Sequence, residues 1–207
     1  MRGLEHRGAS AVNSEEMIPQ LVFQRSWLYD EALKRERRFV KPPSGKLFRN
    51  RMLRYRKLWE KDKDGILKEL PRVTKIKWSE PYITVYVTWG VYPYSNPLTV
   101  NITTPPSQIV HFLTHELIHR ILSLQKESPK KEKNWERLMR KYKQYPQITR
   151  THIVVHAIHE HILRKFFGVR QLESEKKIIK NKAYILAWHI VERDGYKNII
   201  NEFTRGV

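Results

Sequence analysis

The spacing of apolar residues changes repeatedly along this chain, and each change marks a different element. Between Ile18 and Val40 apolar positions recur at Leu21, Leu28 and Leu33, with Phe23 and Trp27 between them, which predicts a loose helix. "KPPSGK" at 41–46 interrupts it. Phe48, Met52, Tyr55 and Trp59 then fall at three-to-four spacing among Arg and Lys, the pattern of an amphipathic helix, which is expected to stop near Gly65. After Pro71 the texture turns β-branched and aromatic: "VTKIKW" alternates, "YITVYVTW" is nearly all strand-forming, and "LTVNIT" follows a connection rich in Pro and Asn. These segments predict three strands, expected to pair antiparallel.

Helical periodicity returns in "TTPPSQIVHFLTHELIHRILSLQ", where Thr104 is placed to cap a helix whose first residue is Pro105. A short helix around Trp135, Leu138 and Tyr142 is stopped by Pro146. "QITRTHIVVHAIHEHILRKFFG" is a strongly apolar helix with Gly168 at its C-cap. Further helix is expected from Glu173 to about Arg193 and from Tyr196 to Phe203, with a stop at Gly195. The order of helices, a small sheet and more helices predicts an α+β fold. The expected organisation is a flexible tail at 1–17, a basic helical extension at 18–71, a core at 72–168 and C-terminal helices at 169–207 packed on that core. The tail is polar and Gly/Ser-bearing, and an upstream start codon ahead of Met17 would also produce it.

Charge adds a possible partner to this picture. The 40 Lys and Arg against 21 acidic residues give a formal charge of +19, which favours nucleic acid, acidic proteins or headgroups and equally suits exposed ion-pair networks. The absence of cysteine excludes disulfides, Cys-ligated zinc and thiol catalysis. No segment has the apolar length to cross a bilayer and the start lacks a secretory signal, so a cytoplasmic protein with no membrane partner is expected.

The chemistry lies in "LTHELIHRIL" at 113–122. Residues four apart share a helix face, so His115 and His119 can present imidazole nitrogens to one ion, as zinc requires. Glu116, one position round, can take a proton from a water at that ion as general base. Ile109, Leu113, Leu117, Ile121 and Leu124 form the apolar stripe of the same helix, so the histidines lie beside a buried face. A core helix with hydrogen-bonded histidines is the structural alternative, although it would have to satisfy several polar groups at once.

With a strand-rich segment ahead of this motif, the chain resembles the zincin metallopeptidases over residues 72–167, with Arg120 departing from the uncharged residue usual after the second histidine. A catalytic zinc takes a third protein ligand. "RILSLQKESP" has neither the Gly nor the His of the metzincin continuation, so the ligand should come from a later helix, the arrangement of the gluzincins and of the small minigluzincins. In "HIVVHAIHEHIL" the candidates are His152, His156, His159, Glu160 and His161, with His152, His156 and Glu160 along one side of a helix. Glu160 is the first choice, because a carboxylate among Ile153, Val154, Ile158 and Ile162 needs a cation; His156 is the rival, and His159 or the pair His189 and Glu192 come after it.

These residues predict a zinc-dependent peptidase acting on a peptide or protein substrate, with "YITVYVTW" as a strand against which an extended substrate would pair or else a central strand of the sheet. A latent form covered by terminal helices, with "KPPSGK" as hinge, is a variant of this reading. The alternative is a basic nucleic-acid-binding protein with a structural or inactive zinc site, its surface being "RNRMLRYRKLWEK". SprT-like proteases, which carry the same motif and act on DNA-attached proteins, are the second resemblance and join the two readings.

Overall fold

Gln20–Gln24, within the segment expected to be helical, is instead the first strand of the sheet. A computed structural model describes residues 17–35 and 41–206; most of the expected tail, and residues 36–40, lie outside the described residues. The five residues QLVFQ alternate, with Phe23 buried and Gln20, Val22 and Gln24 exposed, a period of two that is too short to stand out from its helical surroundings. Helix α1 (Trp27–Ala32) follows, capped by Ser26, whose hydroxyl accepts from the Tyr29 N–H at 3.2 Å. Buried Asp30 ties α1 to the sheet, accepting from Thr88 Oγ1 and Arg25 Nε at 2.7 Å each.

Helix α2 (Gly45–Thr74) runs through both expected stop signals. At Gly65 the reason is space: a Cβ there would lie 2.7 Å from Phe166 Cε1, so glycine permits the close approach of that ring. Pro71 has no N–H to offer the carbonyl of Leu67, and the Trp78 indole N–H donates to that carbonyl instead, at 3.0 Å. The helix ends at Lys75, whose φ of 58° is left-handed. "VTKIKW" is therefore the last turn of α2 plus a connection that buries Ile76 and Trp78, and it adds no strand.

The remaining strands are β2 (Tyr82–Thr88), β3 (Tyr94–Ser95) and β4 (Leu98–Asn101), and the sheet order is β1-β2-β4-β3. β1 and β4 both run parallel to β2, with Gln20 opposite Tyr82 and Tyr86 opposite Thr99; the expected antiparallel pairing occurs at the β3–β4 hairpin. Parallel neighbours need a long crossover, which α1 and α2 supply between β1 and β2. β2 is thus central, with Ile83, Val85 and Val87 buried, and β1 and β3 are the two edge strands.

Helix α3 (Ile109–Ser123) starts four residues later than expected, because Pro106 disfavours helical geometry at Pro105 and a turn fills 105–108. Its Ile109, Leu113, Leu117, Ile118 and Ile121 are fully buried, each contributing about 1.5–3 kcal/mol by transfer from water. The short helix α4 (Pro129–Lys141) leads to α5 (Gln147–Phe166), which packs on α2, α3 and the C-terminal helices α6 (Val169–Ile178), α7 (Lys182–Asp194) and α8 (Tyr196–Phe203). The single helix expected over 173–193 is broken at 179–181, where the Asn181 side chain accepts from the Ala183 N–H at 2.9 Å and starts α7. The fold is α+β, with helices outweighing a four-stranded mixed sheet. No helix among the described residues is long and apolar enough to cross a membrane.

Candidate metal centre

Helices α3 and α5 pack in opposite directions along a seam of histidines. His119 lies against His152, with ring centroids 4.8 Å apart, and His115 lies between His156 and His159 at 5.8 and 5.5 Å. Three nitrogens converge at one end of the seam: His119 Nε2 is 3.2 Å from His115 Nε2 and 3.2 Å from His152 Nε2. Four ligands around zinc at 2.0–2.1 Å stand about 3.3 Å from one another, so this spacing suits a tetrahedral ion.

The tautomers strengthen that fit. His152 Nδ1 donates to the Ile148 carbonyl at 2.8 Å, which leaves its Nε2 as a lone pair directed at the other two rings. A single N–H on His119 Nε2 can serve one neighbour and not both. Burial pushes His115, His119 and His152 below the ordinary histidine range, His119 to about 4, and mutual repulsion among the rings adds to this for the first two. Neutral imidazoles are the form a metal requires. His115, His119 and His152 could therefore hold a metal ion.

Glu160, expected as the third ligand, is not in that group. In antiparallel helices a residue eight positions beyond His152 lies about 12 Å further along the seam, away from His119. There Glu160 Oε1 accepts from Arg164 Nε at 2.8 Å, so the cation that compensates this buried carboxylate is an arginine one turn away. His156, the rival, stacks on Trp188 at 4.3 Å with its Nδ1 unpartnered, and His159 Nε2 is likewise buried without a partner. His161 belongs to another cluster, with its Nε2 2.6 Å from Glu69 Oε1. His189 and Glu192 lie 3.5 Å apart with both side chains well exposed, as a separate pair. His152 was legible as a candidate, but only the crossing of α3 and α5 shows which histidine of α5 lies opposite His119.

Beside these residues opens a cleft of about 1180 Å³, lined by His115, Glu116, His156, His159, Tyr184 and Trp188 and by the β3 approach at Tyr92–Tyr94. Glu116 is 9 % exposed, and burial raises its carboxyl to about 7. It faces the same cleft from the turn that carries His115. Tyr184 stacks on His152 at 4.0 Å, and burial and the neighbouring Glu116 raise its hydroxyl above the ordinary tyrosine value. Arg120, the residue that departs from the zincin pattern, points away from this chemistry: it pairs with Glu80 at 2.7 Å and donates to the Ser95 carbonyl at 3.2 Å, fixing the edge strand to α3. No protein-family model, no curated protein and no solved structure matches this chain.

Proposed function

We propose that this chain is a zinc-dependent peptidase of zincin type, with His115, His119 and His152 as ligands and Glu116 as general base. The observation that supports it is the convergence of the His115, His119 and His152 Nε2 atoms, with His115 and the buried Glu116 beside it both lining a large cleft. A zinc ion held there would supply Lewis-acid polarisation of the scissile carbonyl and acidify the attacking water.

The chain's own groups account for the remaining work. Glu116, one residue from His115 and facing the same cleft, accepts the proton of the attacking water and delivers it to the leaving amine. Tyr184, kept protonated, is a donor available to the oxygen that gains charge during attack. β3, the one of the two edge strands that borders the cleft and is fastened by Arg120, offers main-chain groups with which an extended peptide can pair. The C-terminal helices form part of the cleft wall through Glu175, Tyr184 and Trp188. The test is cleavage of unfolded casein by zinc-loaded protein: cleavage that stops on chelation and returns with zinc supports the reading, and intact casein under zinc saturation refutes it.

Nucleic-acid binding is the second reading, favoured by the exposed Lys46, Arg49, Arg54, Lys57 and Lys61 along α2 in a chain of charge +19. Duplex DNA binding that weakens steeply with salt and is lost when these five become Gln supports it; binding unchanged by the substitutions removes it.

A further inference from the structure

Among the described residues five carboxylates are buried: Asp30, Glu69, Glu116, Glu160 and Glu175. Arg25 pairs with Asp30, Arg72 and Lys165 with Glu69, and Arg164 with Glu160. Glu116 and Glu175 alone of these have no Lys or Arg partner among the described residues, and both line the same cleft. Glu116 has a place in the proposed chemistry, and Glu175 has none.

Glu175 sits on α6 and is 8 % exposed. Its Oε1 accepts from Gln171 Nε2 at 3.1 Å and stands 3.9 Å from His111 Nε2, while among the described residues its Oε2 has no hydrogen-bond donor. His111 precedes His115 by one turn of α3, about 6 Å along the axis, so this carboxylate lies one step along the cleft from the metal centre. Around it the buried His111 Nδ1 and His159 Nε2 also have no partners. Burial pushes His111 down to about 4, so at neutral pH it does not supply the missing positive charge. Burial likewise pushes Glu175 up to about 7, the response of a carboxylate left without a cation. Trp188 and Tyr184 add aromatic surface to the same cleft. This end of the cleft thus offers a carboxylate and imidazole acceptors, and the lysine of its lining, Lys180, is exposed to solvent.

We propose that Glu175 is the anchor of a substrate subsite for an alkylammonium group, either a lysine side chain or the free N-terminal amine of a peptide. The proposal rests on the peptidase reading and assigns it a substrate preference. A bound ammonium would pair with Glu175 and bring donors to the orphaned imidazole nitrogens, whereas an acidic or bulky apolar group would leave them unsatisfied.

The test is calorimetric binding of three hydroxamates to zinc-loaded protein: N-acetyl-lysine hydroxamate, norleucine hydroxamate with its free α-amine, and N-acetyl-norleucine hydroxamate with no cation. One of the two cationic probes should bind at least tenfold more tightly than the neutral one, and which of them does so identifies the side chain or the terminal amine as the occupant. In Glu175→Gln the ratio should fall to about one, and in Glu175→Asp, which keeps the charge, it should persist in part. Equal binding of all three by the wild type, or a preference that survives in Glu175→Gln, overturns the proposal. Hydroxamates bind without turnover, so a chain that prefers the cationic probe yet cleaves no casein loses the peptidase reading and keeps the subsite. If the protein takes up no zinc, n-hexylamine against hexan-1-ol on the metal-free chain makes the same comparison, with the same preference expected and its absence decisive against the subsite.

Discussion

Replacing His152 by alanine should nearly abolish zinc binding, while Glu160→Gln should leave it almost intact. Loss of a residue that only orients a ligand lowers metal affinity about 10–100-fold, so loss of a ligand should cost at least about 100-fold. Zinc at 100 times its dissociation constant stabilises a folded protein by about 2.7 kcal/mol, which for a chain of this length raises the melting temperature by about 5–11 °C. A hundredfold weaker site at the same zinc concentration retains about 0.4 kcal/mol, a rise below about 2 °C. Glu160→Gln removes an ion pair whose Arg164 side chain is 38 % exposed, which should lower metal-free stability by less than about 1 kcal/mol and leave the zinc increment in place. Thermal melts with and without zinc, with competition titration for affinity, read both effects. A zinc increment that disappears in Glu160→Gln and persists in His152→Ala would show that the carboxylate is the ligand and refute the three-histidine centre.

Proton competition at the metal centre should be deferred: burial holds all three histidines below the ordinary 6.5, His119 at about 4, so zinc affinity should begin to fall only below about pH 6.5, and a steady decline beginning at pH 7 would contradict this. Burial opposes ionisation of Glu69, but bonds from Arg72, Lys165 and His161 outweigh it and hold the carboxyl at about 2 against an ordinary 4.5. This depressed value stabilises the fold fully above about pH 4.5 and progressively less as pH falls toward 2, by about 3 kcal/mol in the limit and about 2 after allowing for the exposure of Arg72 and Lys165. Urea denaturation should therefore find Glu69→Gln about 2 kcal/mol less stable than wild type at pH 7, with the gap narrowing by pH 3; a gap independent of pH would refute the assignment. Arg120→Ala should cost about 1–2 kcal/mol in the same assay and speed amide exchange at Tyr94–Ser95, and unchanged exchange there would show that Arg120 does not secure the edge strand.

The helix that carries the motif was legible because its apolar stripe, its two histidines and its glutamate all lie within one periodic segment. Helix α5 was legible for the same reason. The first strand was not, because five alternating residues followed by a short helix cannot be separated from a loose helical pattern by spacing alone. The length of α2 was hidden by Gly65 and Pro71, whose local meaning as breakers is overridden by Phe166 packing at one and the Trp78 indole at the other. At the site, both helices and every residue of the cluster were among the candidates, but the choice between His152 and Glu160 depends on how α3 crosses α5. Burial alone singled out Glu160 as a carboxylate in need of a cation, and Arg164, four residues on, meets that need. Glu175 drew no notice in sequence, because a glutamate between serine and lysine on an amphipathic helix reads as exposed; only the packing of α6 against the cleft buries it.

The most direct test of the central claim compares wild type with Glu116→Gln at matched zinc content, measured by elemental analysis, in the cleavage of unfolded casein. The account predicts about one zinc per chain in both, cleavage by the wild type, and a loss of about 100-fold or more in Glu116→Gln, since general-base catalysis contributes about 10²–10⁴. Equal cleavage by the two zinc-loaded proteins would contradict it.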